Sequence, residues 1–366
     1  MSRWRVPALL VRGAQVLLGS ALQPADVLID DGRVVAVGAS GALGTAPSVL
    51  SGEVVAPGFV DLHVHALDGR GLVGAGSPDV EGLSQALLRR GVTGFLATTI
   101  ATPLDDLVAL VTAVSRSQVS GARLLGVHLE GPWLAPGHAG AQPVTALQAP
   151  ALDGLERLLV AGPPTLLTLA PELAGADEVI SRAREAGVVV SLGHSGATYE
   201  QAARAVGLGA SHITHCFNAM SGLHHRAPGL AGAALDLPGL TVELIADGAH
   251  VHPAVARILI AAVGADRVCL VSDAVDVDLP GETGVRLADG TLAGSRAGLD
   301  QAVRNLVDWG VPLASALTMA SVTPGRLVGG SAYGGLRVGD PADLVVLGRD
   351  LEVQATVVSG EVRWQR

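Results

Sequence analysis

The chain has 366 residues, 49% of them apolar, and a formal net charge of −10, which suits one large α/β domain with an appendage and a sizeable buried core. The acidic balance disfavours nucleic acid or an anionic membrane as the main partner. Cys216 and Cys269 are too few and too far apart for a disulfide framework or a four-cysteine zinc site, and the complete absence of lysine excludes Schiff-base chemistry and any metal site bridged by a carbamylated lysine.

In chain order, the opening MSRWRVPALLVRGAQ lacks the long apolar core and cleavage site of a secretory signal, and no later run has the length of a membrane span, so a cytoplasmic protein is expected. Next, ADVLIDDGRVVAVGA places Asp31-Gly32 between two β-branched runs and predicts a hairpin with a tight primed turn. The last segment, GDPADLVVLGRDLEVQATVVSGEVRW, has the same character, with strands expected from Asp343 to Leu347 and from Val353 to Val358. Both ends therefore build one small β-sandwich, residues 1–55 and 334–366, around a different middle.

That middle, residues 56–333, repeats an apolar run, a polar tip and a helical stretch. The expected strands are VVAPGFVDLHVH, GVTGFLATT, RLLGVHLE, TLLTLA, GVVVSLGH, ASHITH, TVELIADG and RVCLVSDA. Helical patterns such as VEGLSQALLRRG and ADEVISRAREAG lie between them and close on glycine. Eight such units predict an α/β fold of the (β/α)₈ TIM type, whose chemistry sits at the carboxyl ends of the strands.

The strand ends are unusually rich in ligand chemistry. The first run ends in His63-Val64-His65, the third in Glu130, the fifth in His194, the sixth in His215, the seventh in Asp247 and His250, and the eighth in Asp273. Alternation along a strand turns His63 and His65 the same way, as it does His128 and Glu130. Any one of these histidines is equally well explained by an ordinary strand-end hydrogen bond. Together, imidazoles and carboxylates crowded at one rim are costly unless a cation organises them, and a borderline divalent metal such as Zn²⁺ suits the nitrogen and oxygen set.

The order His-x-His, HLEGP, GHS, THCFNAM, ADGAH and SDA resembles the N-acetylglucosamine-6-phosphate deacetylase family of the amidohydrolase superfamily, over nearly the whole chain. The most specific stretches are HLEGPW at 128–133 and HCFNAMSGLHHRAPG at 215–229. The resemblance implies that Glu130, His194 and His215 bind the catalytic metal, and that His63 and His65 hold a second with Glu130 bridging. Relatives without the histidine pair work with a single ion, so one or two per chain are expected: Zn²⁺ first, with Fe²⁺, Mn²⁺ or Co²⁺ as alternatives. It further implies Asp273 as proton shuttle and His250 as the group that polarises the substrate carbonyl. Asn218, the Ala219 amide and Arg226 are implied for the phosphate, and Ala141, Gln142, Asp247, Leu292, Ala293 and Gly294 for the rest of the sugar. In relatives the arginine can come from the neighbouring subunit, which implies a homodimer. The implied reaction converts N-acetyl-D-glucosamine 6-phosphate into D-glucosamine 6-phosphate and acetate, in amino sugar catabolism or recycling.

The sequence departs from the family where relatives carry Gly-Ala-His, because Gly140-Ala141-Gln142 stands there instead. Gln142 can hydrogen-bond but cannot carry charge. This admits N-acetylgalactosamine 6-phosphate, or another N-acylated small molecule, as the alternative substrate. A catalytically silent sugar-phosphate-binding barrel is a third reading, against which the retained Asp273 argues. His138, His224 and His225 read as loop residues, His212 and Cys216 as packing residues, and Cys269 as a small core hydrophobe.

Overall fold

The computed structural model describes residues 7–72, 78–275, 283–329 and 333–366. Eight parallel strands run Phe59–Val64, Val92–Thr98, Arg123–Glu130, Leu166–Leu169, Val189–Leu192, Ala210–Ile213, Thr241–Leu244 and Val268–Leu270, each paired with the next in chain order. The circle closes beyond the eighth strand, where Asp273 N donates to His63 O (2.9 Å) and His65 N to Ala274 O (3.0 Å). All eight expected strands are thus present. The first is shorter than its apolar run, because Val54–Pro57 pairs with Leu344–Leu347 in the other sheet and the chain crosses into the barrel at Gly58. A side chain at Gly58 would collide with Thr93, so the crossing needs glycine.

Continuous burial of strands such as Val92–Thr98 follows from packing on both faces. Phe95, Ala97, Leu129, Leu167 and Leu192 face the helices in the main core. The alternate side chains Leu62, Leu96, Leu166, Ile245, Cys269 and Val271 fill the lower barrel interior. Above them the interior turns polar, and that layer is internally bonded: His128 Nε2 meets Thr168 Oγ1 at 2.8 Å, while Thr214 Oγ1 lies 2.6 Å from both Thr168 and Ser191 hydroxyls.

The two termini form one continuous eight-stranded sheet with its own core, in which Val11, Val27 and Ile29 meet Leu344, Val346 and Val357. Asp31 and Gly32 both adopt positive φ (48° and 77°), the primed-turn geometry expected for the hairpin. The sheet docks on the amino ends of the first barrel strands, where Arg123 pairs with Asp343 (3.1 Å) and Gly58 N donates to Asp343 O (3.0 Å). The opposite mouth is left open. No helix among the described residues is long and apolar enough to cross a membrane.

The expected helices form at Val80–Leu88 and Ala176–Glu185. The second closes on Gly187 at φ +81°, with Val188 N donating back to Ala183 O (3.0 Å). A Cβ at Gly187 or at helical Gly207 would touch nothing within 4 Å, so each isolates a backbone effect. Gly187→Ala is expected to destabilise by about 1–2 kcal/mol through the left-handed backbone. Gly207→Ala should stabilise by about 0.5–1 kcal/mol. Urea unfolding of the two variants checks the opposite signs.

Candidate metal and acid-base site

The open mouth gathers every strand-end group named from the sequence. Glu130, at the end of the third strand, is the hub: its Oε1 lies 3.0 Å from His194 Nε2, 3.1 Å from His215 Nε2 and 3.4 Å from His63 Nε2, and its Oε2 lies 3.4 Å from His65 Nε2. Asp273 Oδ1 approaches His65 Nε2 at 3.3 Å and His63 Nε2 at 3.4 Å. His194, His215 and Asp273 all sit at positive φ (48°, 27° and 46°), a conformation that bulky residues rarely adopt and that concentrates at functional sites.

Two overlapping groups have ligand atoms within 4.8 Å of one another, His63/His65/Glu130 and Glu130/His194/His215. The Nε2 atoms within each group are 3.2 Å and 3.0 Å apart. Three of these rings offer their other nitrogen to an acceptor: His63 Nδ1 to Glu243 (3.0 Å), His65 Nδ1 to Thr98 O (3.2 Å) and His194 Nδ1 to His138 O (2.9 Å). A proton on each Nδ1 leaves the Nε2 lone pairs converging, an arrangement that a cation between them satisfies. The residues therefore fit one or two divalent ions.

Burial alone would raise the Glu130 carboxyl, but His63, His194 and hydrogen bonds from His194 and His215 hold it well below its usual range. Burial likewise opposes ionisation of Asp273, and His63 and His65 overcome it and keep the carboxyl low. Burial pulls His65 down, yet hydrogen bonds to Asp273 and Glu130 raise it to about 9. His128 is different: burial and the neighbouring His63 push it down to about 3, so it is a neutral member of the hydrogen-bonded layer beneath.

The mouth opens into a cavity of about 470 Å³. His65, Glu130, His194, His215, His250 and Asp273 line its floor, and Ala141, Gln142, Asn218, Ala219 and Leu292 to Gly294 its walls. His63 and Asp247 stand behind that surface. Asp247 holds His250 Nδ1 at 2.8 Å and accepts the His250 and Ala249 amides. Burial lowers the His250 imidazole, and the bond to Asp247 reverses the shift and raises it. Gln142 is buried, with Oε1 accepting from Ala101 N (2.7 Å) and Nε2 donating to Glu130. Arg226 is not brought to the cavity of its own chain; it is exposed and bonds His225 Nε2 (2.7 Å).

Several contributors are not apparent in the sequence. Ile100, Phe217, Val275, Leu287 and Thr291 line the cavity from loops whose approach only the fold sets. Glu243 is buried inside the seventh strand against His63 and His212. Its only signal is a lone carboxylate in the apolar run TVELIA.

A model of the amidohydrolase family matches residues 54–363. Among curated proteins the chain is similar to the N-acetylgalactosamine-6-phosphate deacetylase of Escherichia coli O157:H7, 38% identical over 334 residues, covering 85% of this chain and 88% of the relative. It is also similar to the N-acetylglucosamine-6-phosphate deacetylase of Vibrio furnissii, 35% identical over 376 residues with 96% and 94% covered. Among solved structures, a mutant N-acetyl-D-glucosamine-6-phosphate deacetylase of Mycobacterium smegmatis in complex with N-acetyl-D-glucosamine-6-phosphate superposes with a TM-score of 0.91 at 35% identity, over 98% of this chain and 99% of that one.

The two ligand groups share only Glu130. His63→Ala combined with His65→Ala should therefore lower the metal content of the purified protein below that of the parent while the Glu130/His194/His215 group keeps its ion, as read by elemental analysis.

Proposed function

The chain belongs to the amidohydrolase family and, within it, to the N-acetylglucosamine-6-phosphate deacetylases, and from that premise we propose that it hydrolyses the acetamide of N-acetyl-D-glucosamine 6-phosphate to acetate and D-glucosamine 6-phosphate. The observation that carries this reading is the convergence of four imidazoles on Glu130, with Asp273 against two of them, at the floor of a sugar-sized cavity. The catalytic unit, expected from residue 56, is the barrel that the chain enters at Gly58 and leaves at about residue 333, and its expected location is the cytoplasm.

In this reading Glu130, His194 and His215 hold the catalytic cation, with His63, His65 and Glu130 holding a second; zinc suits the donor set best. Such a cation, when bound, supplies Lewis acidity and lowers the pKa of water from about 16 toward roughly 7. Asp273, whose Oδ1 lies 3.3 Å from His65 Nε2 at the cavity floor, takes the proton of the attacking water and delivers one to the departing amine nitrogen, which leaves poorly unprotonated. His250, anchored through Nδ1 by Asp247, turns Nε2 to the cavity and polarises the amide oxygen. Ala141, Gln142 and Leu292 to Gly294 enclose the sugar. Gln142 also ties the wall to Glu130, since both ends of its amide are engaged.

The phosphate falls to Asn218, the Ala219 amide and Arg226. Among the described residues no arginine lines the cavity, so a cation has to reach it from elsewhere. Arg226 stands on an exposed loop beside Leu223, itself 60% exposed. A homodimer that covers this loop and lends Arg226 to the neighbouring cavity accounts for both. The similarity to the Escherichia coli O157:H7 enzyme favours N-acetylgalactosamine 6-phosphate as the second reading.

Acetate release from both N-acetylhexosamines, with and without the 6-phosphate, separates these readings, and no release from any of them means a silent binder. Arg226→Ala should chiefly raise KM for the phosphorylated sugar, on the order of tenfold to a hundredfold, since charge-assisted bonds worth roughly 1.5–3 kcal/mol act alike in ground and transition states. An unchanged KM would remove Arg226 from the phosphate site.

Asp273→Asn keeps shape and most hydrogen bonding but can neither accept nor return the proton. With metal content matched to the parent, kcat is expected to fall by roughly 10³ or more, because one group serves both proton transfers. Retention of more than about a tenth of parental kcat would assign the shuttle to another residue, since loss of an acid-base group costs at least about a hundredfold.

A further inference from the structure

We infer that Glu243 is a positioning residue for the paired metal site: its buried carboxylate fixes the His63 ring with Nε2 turned to Glu130, so that the His63/His65/Glu130 position retains its ion only while Glu243 is intact. The inference rests on the two-ion reading above. Glu243 is fully buried inside the seventh barrel strand, where a carboxylate is costly unless its oxygens are bonded. They are. Oε2 accepts from His63 Nδ1 (3.0 Å) and from the His215 amide (2.9 Å), and Oε1 from His212 Nε2 (3.3 Å).

The direction of each bond is set by the carboxylate, which can only accept. His212 therefore donates to Glu243 through Nε2, and its Nδ1 accepts from the Thr241 hydroxyl (2.6 Å). With one oxygen occupied by His212, the other takes the proton of His63 Nδ1, which leaves the His63 Nε2 lone pair 3.2 Å from His65 Nε2 and beside Glu130. His63, His128 and Glu243 also form a three-residue group, but the His128 ring has no free lone pair to offer, since Nδ1 donates to Leu62 O (3.2 Å) and Nε2 accepts from the Thr168 hydroxyl (2.8 Å). Glu243 meets the other metal position only through the His215 backbone amide. Its effect is therefore directed at the His63 side.

Carboxylates that hold a ligand histidine in this way contribute about tenfold to a hundredfold in metal affinity. Glu243→Gln preserves volume, can still accept from His63 and, with the His212 proton moved to Nδ1, donate to His212 Nε2, and removes the charge. Stepwise zinc titration of the apo-protein against a chromophoric chelator should show two affinities in the parent. In Glu243→Gln the His63-side step should weaken by about tenfold or more while the other is unchanged. In a His63→Ala background, which lacks that position, the same change should alter nothing. Equal affinities in parent and variant, equal losses at both steps, or the same loss in the His63→Ala background would each overturn the inference while leaving the deacetylase reading standing. A parent that binds a single ion overturns the two-ion reading and this inference with it. Should Glu243→Gln fail to fold, the nitrogen-15 spectrum of the zinc-loaded parent decides: protonated Nδ1 with metal-bound Nε2 at His63 supports the assignment, and an unprotonated Nδ1 overturns it.

Discussion

The Glu130 carboxylate is the constraint around which the rest of the molecule is arranged. Almost fully buried, it accepts approaches from four imidazoles belonging to three different strand ends. A buried anion of this kind is tolerated only where positive charge and hydrogen bonds surround it. Three of the four are in turn held from behind: His63 by Glu243, His65 by the Thr98 carbonyl, His194 by the His138 carbonyl. Release of any one backing group frees a ring to rotate and weakens the convergence on Glu130.

The barrel pays for this rim with backbone strain and an interior that is polar where most barrels are aliphatic. His194, His215, Ala219 and Asp273 take left-handed φ at the turns that follow strands, which aims their side chains across the mouth instead of along the strand. Beneath them, the His128, Thr168, Thr214 and Ser191 network gives the rim a floor with its polar atoms bonded. The purely apolar layer starts lower, with Leu62, Leu96 and Leu166. Stability is supplied at one end of the barrel, where the terminal sheet docks, and chemistry is carried at the other.

The absence of lysine and the presence of Glu130 are two sides of one choice. In the two-ion reading the positions share an anionic bridge, and a chain without lysine cannot build it from a carbamate, which leaves a carboxylate such as Glu130. Gln142 and Glu243 then brace that glutamate and its histidine partner from opposite directions, the first from a loop above and the second from the strand below. Neither has to touch substrate to matter for the reaction.

Much of this was legible before any coordinates. Eight apolar runs, most of them ending in a polar tip, specify parallel strands because a strand buried on both faces is apolar over most of its length. The His63/His65 pairing follows from alternation, and the hairpin at Asp31-Gly32 from the residues that tolerate positive φ. What the sequence could not decide is where separate segments meet. The first apolar run looks continuous, yet Val54–Pro57 and Phe59–Val64 lie in different sheets because Leu344, almost three hundred residues on, supplies the pairing partner. Glu243 reads as an anomaly in an apolar strand until His63 and His212 are seen against it. Gln142 reads as a wall residue of the sugar pocket, and only the fold adds that both ends of its amide are engaged. Local pattern determined the elements and the chemistry available at their ends, since both depend on neighbours a few residues away. Only tertiary packing decided which of those groups share a hydrogen bond, because such contacts join atoms brought together from opposite sides of the closed barrel.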